Sequence, residues 1–339
     1  AYAERYGAGA GASRLITGNG PAYAGIEAKL AKGKGTEAAL VLSSGYQANL
    51  TVLAALADEA VIGRPVTILA DRLCHNSLLQ GARLSGASVS RFRHNDYDHL
   101  EQLLRRASAR GAQSLIVSES VFSMDGDCAD LGALAALARH FDAMLYIDEA
   151  HATGLFGPGG FGLAAGHRGS IDVIMGTFGK ALGGFGAYIA CGEILRDYLV
   201  QRCGGLIYST ALPPSVLGAM DAALELLPFM DQERAYVLEQ AGRVRAGLQA
   251  QGWDCGTSTT QIIPIILGGS DSAMSLADEL QRHDILAAAI RPPTVPPGTS
   301  RLRLSISAAH KLEDLDHLLA VMGKLFMGFS APSCRAIAS

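Results

Sequence analysis

The sequence predicts an α/β protein in two parts, a large domain with a mostly parallel sheet between helices and a smaller α+β domain after it. Three observations lead there. Short apolar runs recur without polar alternation, the pattern of strands covered on both faces. Helical patterns with apolar residues every three or four positions lie between them, and this alternation is that of a parallel sheet. After Pro228 both patterns change.

Strands are expected over 39–42, 66–69, 114–117, 144–147 and 172–175, and helices over 46–56, 99–107 and 131–140. A long charged helix over 232–249 opens the second part, followed by a strand over 262–267, another helix and a strand over 301–307. The division is therefore a large domain over 1–228, a small one over 229–328, and a loose Ala/Ser-rich tail over 329–339. The proline-rich stretch 291–298 must be an extended loop, because proline cannot donate to a ladder.

With 339 residues, 49% of them hydrophobic and 18% charged, the chain can bury more than one core. A net charge of -4 leaves no broad basic surface, which argues against nucleic acid as a partner. The six cysteines are scattered, with no C-x-x-C pair and no Cys/His cluster at zinc-ligand spacing, so a reduced compartment and no metal are expected. No apolar stretch reaches the roughly 18 residues of a membrane span. The first residues lack the order of a signal peptide. A cytoplasmic location follows. The chain opens without Met in what reads as the last turns of a helix, so a preceding segment is expected.

Asp148-Glu149-Ala150-His151 places two acids and a histidine at the C-terminal end of a buried strand, where open α/β sheets bind ligands. Such a pair can equally cap the next helix. The same four letters occur in nucleotide-driven helicases, but their partner loop G-x-x-x-x-G-K-[ST] is absent. The nearest approach, Gly176-Thr177-Phe178-Gly179-Lys180-Ala181, instead sets Lys180 just after a buried strand. Half-burial there would lower the amine's pKa and suit a nucleophile or Schiff-base former; a lysine that snorkels to the surface is the alternative.

The glycine runs 157–162 and 7–12 fit dinucleotide fingerprints, yet neither lies between a strand and the helix it feeds, so a Rossmann site is not expected. Ser44-Gly45-Tyr46 follows a strand and begins a helix, where backbone N–H groups and the dipole can hold a phosphate. His75 also follows a strand and opens a helix; alone it would be a cap or a packed histidine. The segment from Glu119 to Asp127 follows another strand, so four strand ends bring polar residues to one sheet edge.

Taken together, these segments resemble the α-oxoamine synthases, a branch of the fold type I pyridoxal-phosphate enzymes, over about residues 9–325. The markers are residues 71–77, Val121-Phe122-Ser123-Met124-Asp125-Gly126, Asp148-Glu149-Ala150-His151 and Thr177-Phe178-Gly179-Lys180. Within the branch, Ile207-Tyr208-Ser209-Thr210 and the stretch from Arg291 through Arg303 most resemble members that condense L-alanine with a pimeloyl thioester in biotin biosynthesis.

The resemblance implies a seven-stranded, mostly parallel sheet, pyridoxal 5'-phosphate held covalently by Lys180, and a homodimer with its active site at the subunit interface. It also implies the residue roles. Asp148 would pair with the ring nitrogen, His151 with the ring's phenolic oxygen, His75 would stack on the ring and Ser123 lie at its edge. Ser44, Gly45, Tyr46 and Thr177 would hold the phosphate, with Ser209 and Thr210 reaching over from the second subunit. Arg303 would bind the amino acid's carboxylate, with Thr294 and Arg291 as further substrate contacts. Lys180 would be the base at Cα. In that family a segment about the length of a helix and a strand precedes the counterpart of Ala1. A sister synthase joining glycine to acetyl-CoA is the alternative within the family. A cofactor-free relic of the fold would be expected to have lost Lys180 or Asp148.

Overall fold

Seven short strands form one sheet in the computed structural model, which describes residues 1–329. They are β1 Ala38–Leu42, β2 Val66–Asp71, β3 Ser88–Phe92, β4 Gln113–Glu119, β5 Met144–Asp148, β6 Val173–Thr177 and β7 Ala187–Cys191, in spatial order β1-β7-β6-β5-β4-β2-β3. β7 is antiparallel to both neighbours and every other pair is parallel. All strands but β7 therefore run the same way, and their C-terminal ends share one edge.

The five strands expected from apolar runs are all present; β3 and β7 were not expected. β3, Ser-Val-Ser-Arg-Phe, is an edge strand whose residues are mostly exposed, so it carries no apolar run. β7 is wholly buried but short and rich in alanine.

Side-chain caps set where several helices begin. Ser44 caps Gly45–Leu56 by accepting from Gln47 N at 3.2 Å, Asp96 caps Tyr97–Ala109 from His99 N at 2.8 Å, and Asp130 caps Leu131–His140 from Ala133 N at 2.9 Å. The apolar face of Gly45–Leu56, through Ala48, Val52 and Leu53, shares a buried core with Ile68, Val117, Tyr146 and Ile189 of the sheet. Each fully buried Leu, Ile or Val side chain stabilises the fold by about 1.5–3 kcal/mol relative to exposure.

The molecule divides into two units, one of Ala1–Val121 and Ala129–Asp231, the other of Phe122–Cys128 and the chain from Gln232 onward. The second contains β8 Ile262–Gly268, β9 Ala288–Ile290 and β10 Ser300–Ser305 in an antiparallel sheet ordered β8-β10-β9. Its core joins Trp253, Ile263, Leu276, Leu302, Leu318 and Met322.

A single cut near Pro228 does not describe the excursion Phe122–Cys128. Gly126 O accepts from Thr259 N at 3.0 Å and Thr260 N at 3.2 Å, tying that segment to residues far along the chain. Gly126 sits at φ +69° with Ile262 O where a Cβ would be, so glycine is required there. Phe329, placed in the loose tail by the sequence, instead ends the helix Leu312–Phe329; the rest of that tail, with Cys334, lies outside the described residues. No helix among the described residues is long and apolar enough to cross a membrane, and no disulfide joins their cysteines.

Candidate active site

The C-terminal edge of the large sheet carries a cavity of about 190 Å³, lined among others by Gly45, Tyr46, His75, Asp148, His151, Thr177 and Lys180. They arrive on four strand ends. β1 leads to Ser44 and Gly45, β2 to His75, β5 to Asp148 and His151, and β6 to Thr177 and Lys180. β4 adds Glu119, which stands beside Asp148 in the β4–β5 register.

A hydrogen-bond network fixes the floor of this cavity. Asp148, 4% exposed, accepts from Asn49 Nδ2 at 2.9 Å on Oδ2 and from Ala150 N at 2.8 Å on Oδ1. Asn49 Nδ2 also donates to Ser77 Oγ at 2.9 Å, while Asn49 Oδ1 accepts from Tyr146 OH at 2.7 Å. Ser77 Oγ lies 2.7 Å from His75 Nδ1, which also accepts from Ser77 N at 3.2 Å. One asparagine thus orients the aspartate and, through Ser77, the histidine. An Nδ1 that accepts an N–H leaves the ring proton on Nε2 in the neutral imidazole.

The protein around His75 disfavours the imidazolium and lowers its pKa, with Asp148 opposing and the charge of Lys180 adding to the shift. The turn leading to His75 is anchored by buried Asp71, whose Oδ1 accepts from Leu73 N at 2.8 Å and lies 2.9 Å from His94 Nδ1.

Lys180 Nζ lies 2.7 Å from His151 Nε2. Its half-burial, expected from its position after a buried strand, does not hold. Burial ends at Phe178, and Gly179 and Lys180 are exposed in the loop beyond β6. Thr177 Oγ1 donates to Gly186 O at 2.9 Å and accepts from Gly179 N at 3.2 Å, which shapes that loop. At the other side of the cavity the Gly45–Leu56 helix presents its first N–H groups, which have no partner within the helix.

The two acids after β5 separate. Glu149 turns away from the cavity into a buried pair with Lys34, its Oε2 2.6 Å from Lys34 Nζ and its Oε1 accepting from Ala164 N at 2.8 Å. Gly162, from one of the glycine runs, has φ +93° and sits where a Cβ would strike the Glu149 carboxylate, so the run serves packing.

Not every expected residue joins this cavity. Ser44 caps the helix behind it. Ser209 and Thr210 border a separate small cavity with Arg14 and Tyr23, and Ser209 Oγ accepts from Gln47 Nε2 at 2.5 Å. Ser123, Arg291, Thr294 and Arg303 belong to the second unit. There Ser123 is buried, while Arg291 and Thr294 are exposed on a turn in which Thr294 N donates to Arg291 O at 3.0 Å. Arg303 on β10 is partly buried, and its Nε is a buried donor with no hydrogen-bond partner among the described residues. Sequence reasoning missed Asn49, Ser77 and Glu119 as lining residues. Asn49 had a signal, being a polar residue on the apolar face of the Gly45–Leu56 helix.

Strand ends, a helix N-terminus, a lysine and a buried aspartate meet here as an anionic cofactor with a basic ring nitrogen would require. The family model for aminotransferase class I and II matches residues 1–322. The chain belongs to that family. An 8-amino-7-oxononanoate synthase from Gluconacetobacter diazotrophicus is 52% identical over 323 residues, covering 95% of this chain and 81% of its own length. A serine palmitoyltransferase from S. paucimobilis, solved with bound PLP–myriocin aldimine, superposes with a TM-score of 0.91 at 30% identity, over 97% of this chain and 82% of that one. An 8-amino-7-oxononanoate synthase from Francisella tularensis superposes with a TM-score of 0.80 at 26% identity, over 96% of this chain and 91% of that one. The resemblance to α-oxoamine synthases and the fold type I architecture are thereby borne out.

Proposed function

We propose that this chain binds pyridoxal 5'-phosphate in the cavity at the sheet edge and condenses L-alanine with a pimeloyl thioester, carried on CoA or a carrier protein, to give 8-amino-7-oxononanoate. The observation that carries this is the 52% identity to an 8-amino-7-oxononanoate synthase over 95% of the chain, which leaves little room for a different chemistry at the same site.

The residues present fit the cofactor. Lys180 would hold it covalently, Asp148 would hold its ring nitrogen protonated, and His151 and His75 would contact the ring. Gly45, Tyr46 and Thr177 would take the phosphate at the helix N-terminus, with Ser44 fixing that terminus. Bound there, the cofactor supplies an electron sink for bond breaking at the amino acid's Cα.

This chain's own residues supply the rest. Asn49 and Ala150 N keep both oxygens of Asp148 in place, so its charge is aimed before substrate arrives. Lys180, with His151 Nε2 2.7 Å from its amine, would move the proton at Cα as general base. Arg303 would bind the alanine carboxylate; a guanidinium with a buried donor left over can take a planar anion. The pimeloyl chain ends in a second carboxylate, which an apolar channel would accept only at a cost of several kcal/mol. The exposed Arg291 and the turn to Thr294 offer it a cation and N–H groups. Ser209 and Thr210, outside the cavity, would serve a second copy of the chain, so the working form is a homodimer, in the cytoplasm.

A panel of L-alanine, glycine and serine against pimeloyl, acetyl and palmitoyl thioesters, read by thiol release, tests this. The fastest pair should be alanine with pimeloyl. Faster turnover with glycine and acetyl-CoA, or with serine and palmitoyl-CoA, would reassign the chain to a sister synthase.

A further inference from the structure

Glu119 ends β4 at the cavity, 2% exposed, and no step of the proposed reaction uses it. Its Oε1 accepts from the backbone N–H of His75 at 2.5 Å. His75 is the residue before the first turn of the helix Asn76–Leu84, so its N–H has no place in the helical ladder, and Glu119 supplies the partner. The contact reaches across from β4 to the turn after β2 and fixes the backbone that carries the imidazole.

Several titratable groups face this carboxyl. Asp148 stands beside it on β5, Asp71 and Cys74 lie at the end of β2, and His75 and Lys180 line the same cavity. Two neighbouring buried acids do not readily both ionise. The hydrogen bonds decide which of them carries the charge, because Asp148 accepts N–H groups on both its oxygens whereas Glu119 meets His75 through Oε1.

We propose that Glu119 is a positioning residue that holds His75 at the cofactor through its backbone N–H, and that it does so as a neutral carboxylic acid, leaving the negative charge of this wall to Asp148. The electrostatics agree. Burial first, and then the charge of Asp148, push Glu119 well above the usual carboxylate range, while the His75 N–H and Lys180 pull down and Asp71 pushes up.

The inference rests in part on the cofactor reading above, and two measurements keep the parts distinct. Infrared difference spectra of the cofactor-free protein at neutral pH should show the C=O stretch of a protonated carboxyl in the wild type that is absent in Glu119→Gln; no such band would overturn the neutral acid. In cofactor titrations, Glu119→Gln should keep the affinity within about threefold and leave the visible absorbance maximum in place. Glu119→Ala should weaken binding about tenfold, the loss of one buried charge-neutral hydrogen bond, and shift that maximum as His75→Ala does. Wild-type affinity and spectrum in Glu119→Ala would overturn the positioning role. So would a Glu119→Gln protein that folds but loses the cofactor, since the acid would then be needed as an anion. A wild-type protein that binds no cofactor would overturn the cofactor reading and the positioning role with it, while the infrared result, taken without cofactor, would still decide the protonation state.

Discussion

Lys34 meets Glu149 and Lys180 meets His151, two residues that follow β5, and the two lysines show what burial does and does not say about function. Lys34 is 0% exposed, paired with the equally buried Glu149 at 2.6 Å, and donates also to Thr153 Oγ1 at 3.1 Å. Thr153 Oγ1 in turn lies 2.8 Å from Tyr188 OH. Burial works against the charge of Lys34, but Glu149 and Tyr188 together more than restore it, and its pKa stands above the ordinary lysine value. Lys180 is exposed beside His151 at the cavity. Burial alone would select the wrong lysine for chemistry. A buried charge with every partner in place is structural, and a charge that faces a cavity can meet a ligand.

Two arginines on β10 repeat the contrast. Arg301 is 5% exposed, 2.6 Å from Asp125 Oδ1, and donates to Met124 O at 3.2 Å and Thr299 O at 3.0 Å. Arg303, two residues on and so on the same strand face, keeps a buried Nε without a partner among the described residues, and burial lowers its pKa.

The largest effect should come from Lys180. Lys180→Ala should fold as the wild type does and lose turnover by about a thousandfold or more, the range of a general base added to the loss of the covalent anchor. Borohydride reduction of the cofactor-loaded wild type followed by peptide mapping should place the label on Lys180; a label on Lys34 would reverse the comparison.

Next in size is the buried pair. Lys34→Met leaves Glu149 charged without a counter-ion and should cost about 3–5 kcal/mol in urea unfolding. Adding Glu149→Gln should recover most of that loss, because the amide oxygen can still accept from Ala164 N and no buried charge remains. If the double variant is no more stable than the single one, the pair holds something other than its own charges.

The arginines should then divide by readout. Arg303→Ala should raise KM for the amino acid about tenfold to a hundredfold, the worth of a charge-assisted hydrogen bond, with the unfolding midpoint little changed. Arg301→Ala should lower the midpoint instead, since it strips Asp125 of its partner. Equal effects of both variants on KM would show that the open Nε of Arg303 is not what the substrate meets.

Much of this was legible in the sequence, for reasons that also mark where legibility ended. Five strands announced themselves because a sheet covered by helices needs unbroken apolar runs, and their ends pointed to Gly45, His75, Asp148 and Lys180. β3 stayed hidden because an exposed edge needs no such run. Asp148 and Glu149 could not be told apart by pattern, because neighbouring residues at a strand end face opposite sides and only the position of Lys34 shows which side is closed. Ser123 could be recognised by resemblance, but its membership of the second unit depends on Gly126 meeting Thr259 and Thr260, a contact between residues more than a hundred positions apart.

The smallest effect concerns pH, and it tests whether the His75 site is set by surroundings that resist charge. The pKa of His75 is lowered in the folded protein, first by loss of water around the ring, then against the pull of Asp148 and with the push of Lys180. Between that lowered value and the ordinary 6.5, the unfolded chain holds a proton that the folded one does not. Stability must therefore rise with pH through that window, and the contribution is flat below it, where both states hold the proton. Glu119 acts in the opposite sense. Its raised pKa keeps a proton on the folded protein that the unfolded chain gives up above the ordinary carboxylate value, so its contribution falls as pH rises toward the folded value. Urea midpoints of the wild type and His75→Phe, compared across about pH 5 to 7, should diverge, the wild type gaining on the variant as pH rises. In a Glu119→Gln background the same gain should appear on a curve without the opposing slope. Parallel wild-type and His75→Phe curves would mean that the imidazole meets the same surroundings folded and unfolded, and that the chain from Asn49 through Ser77 does not hold it neutral.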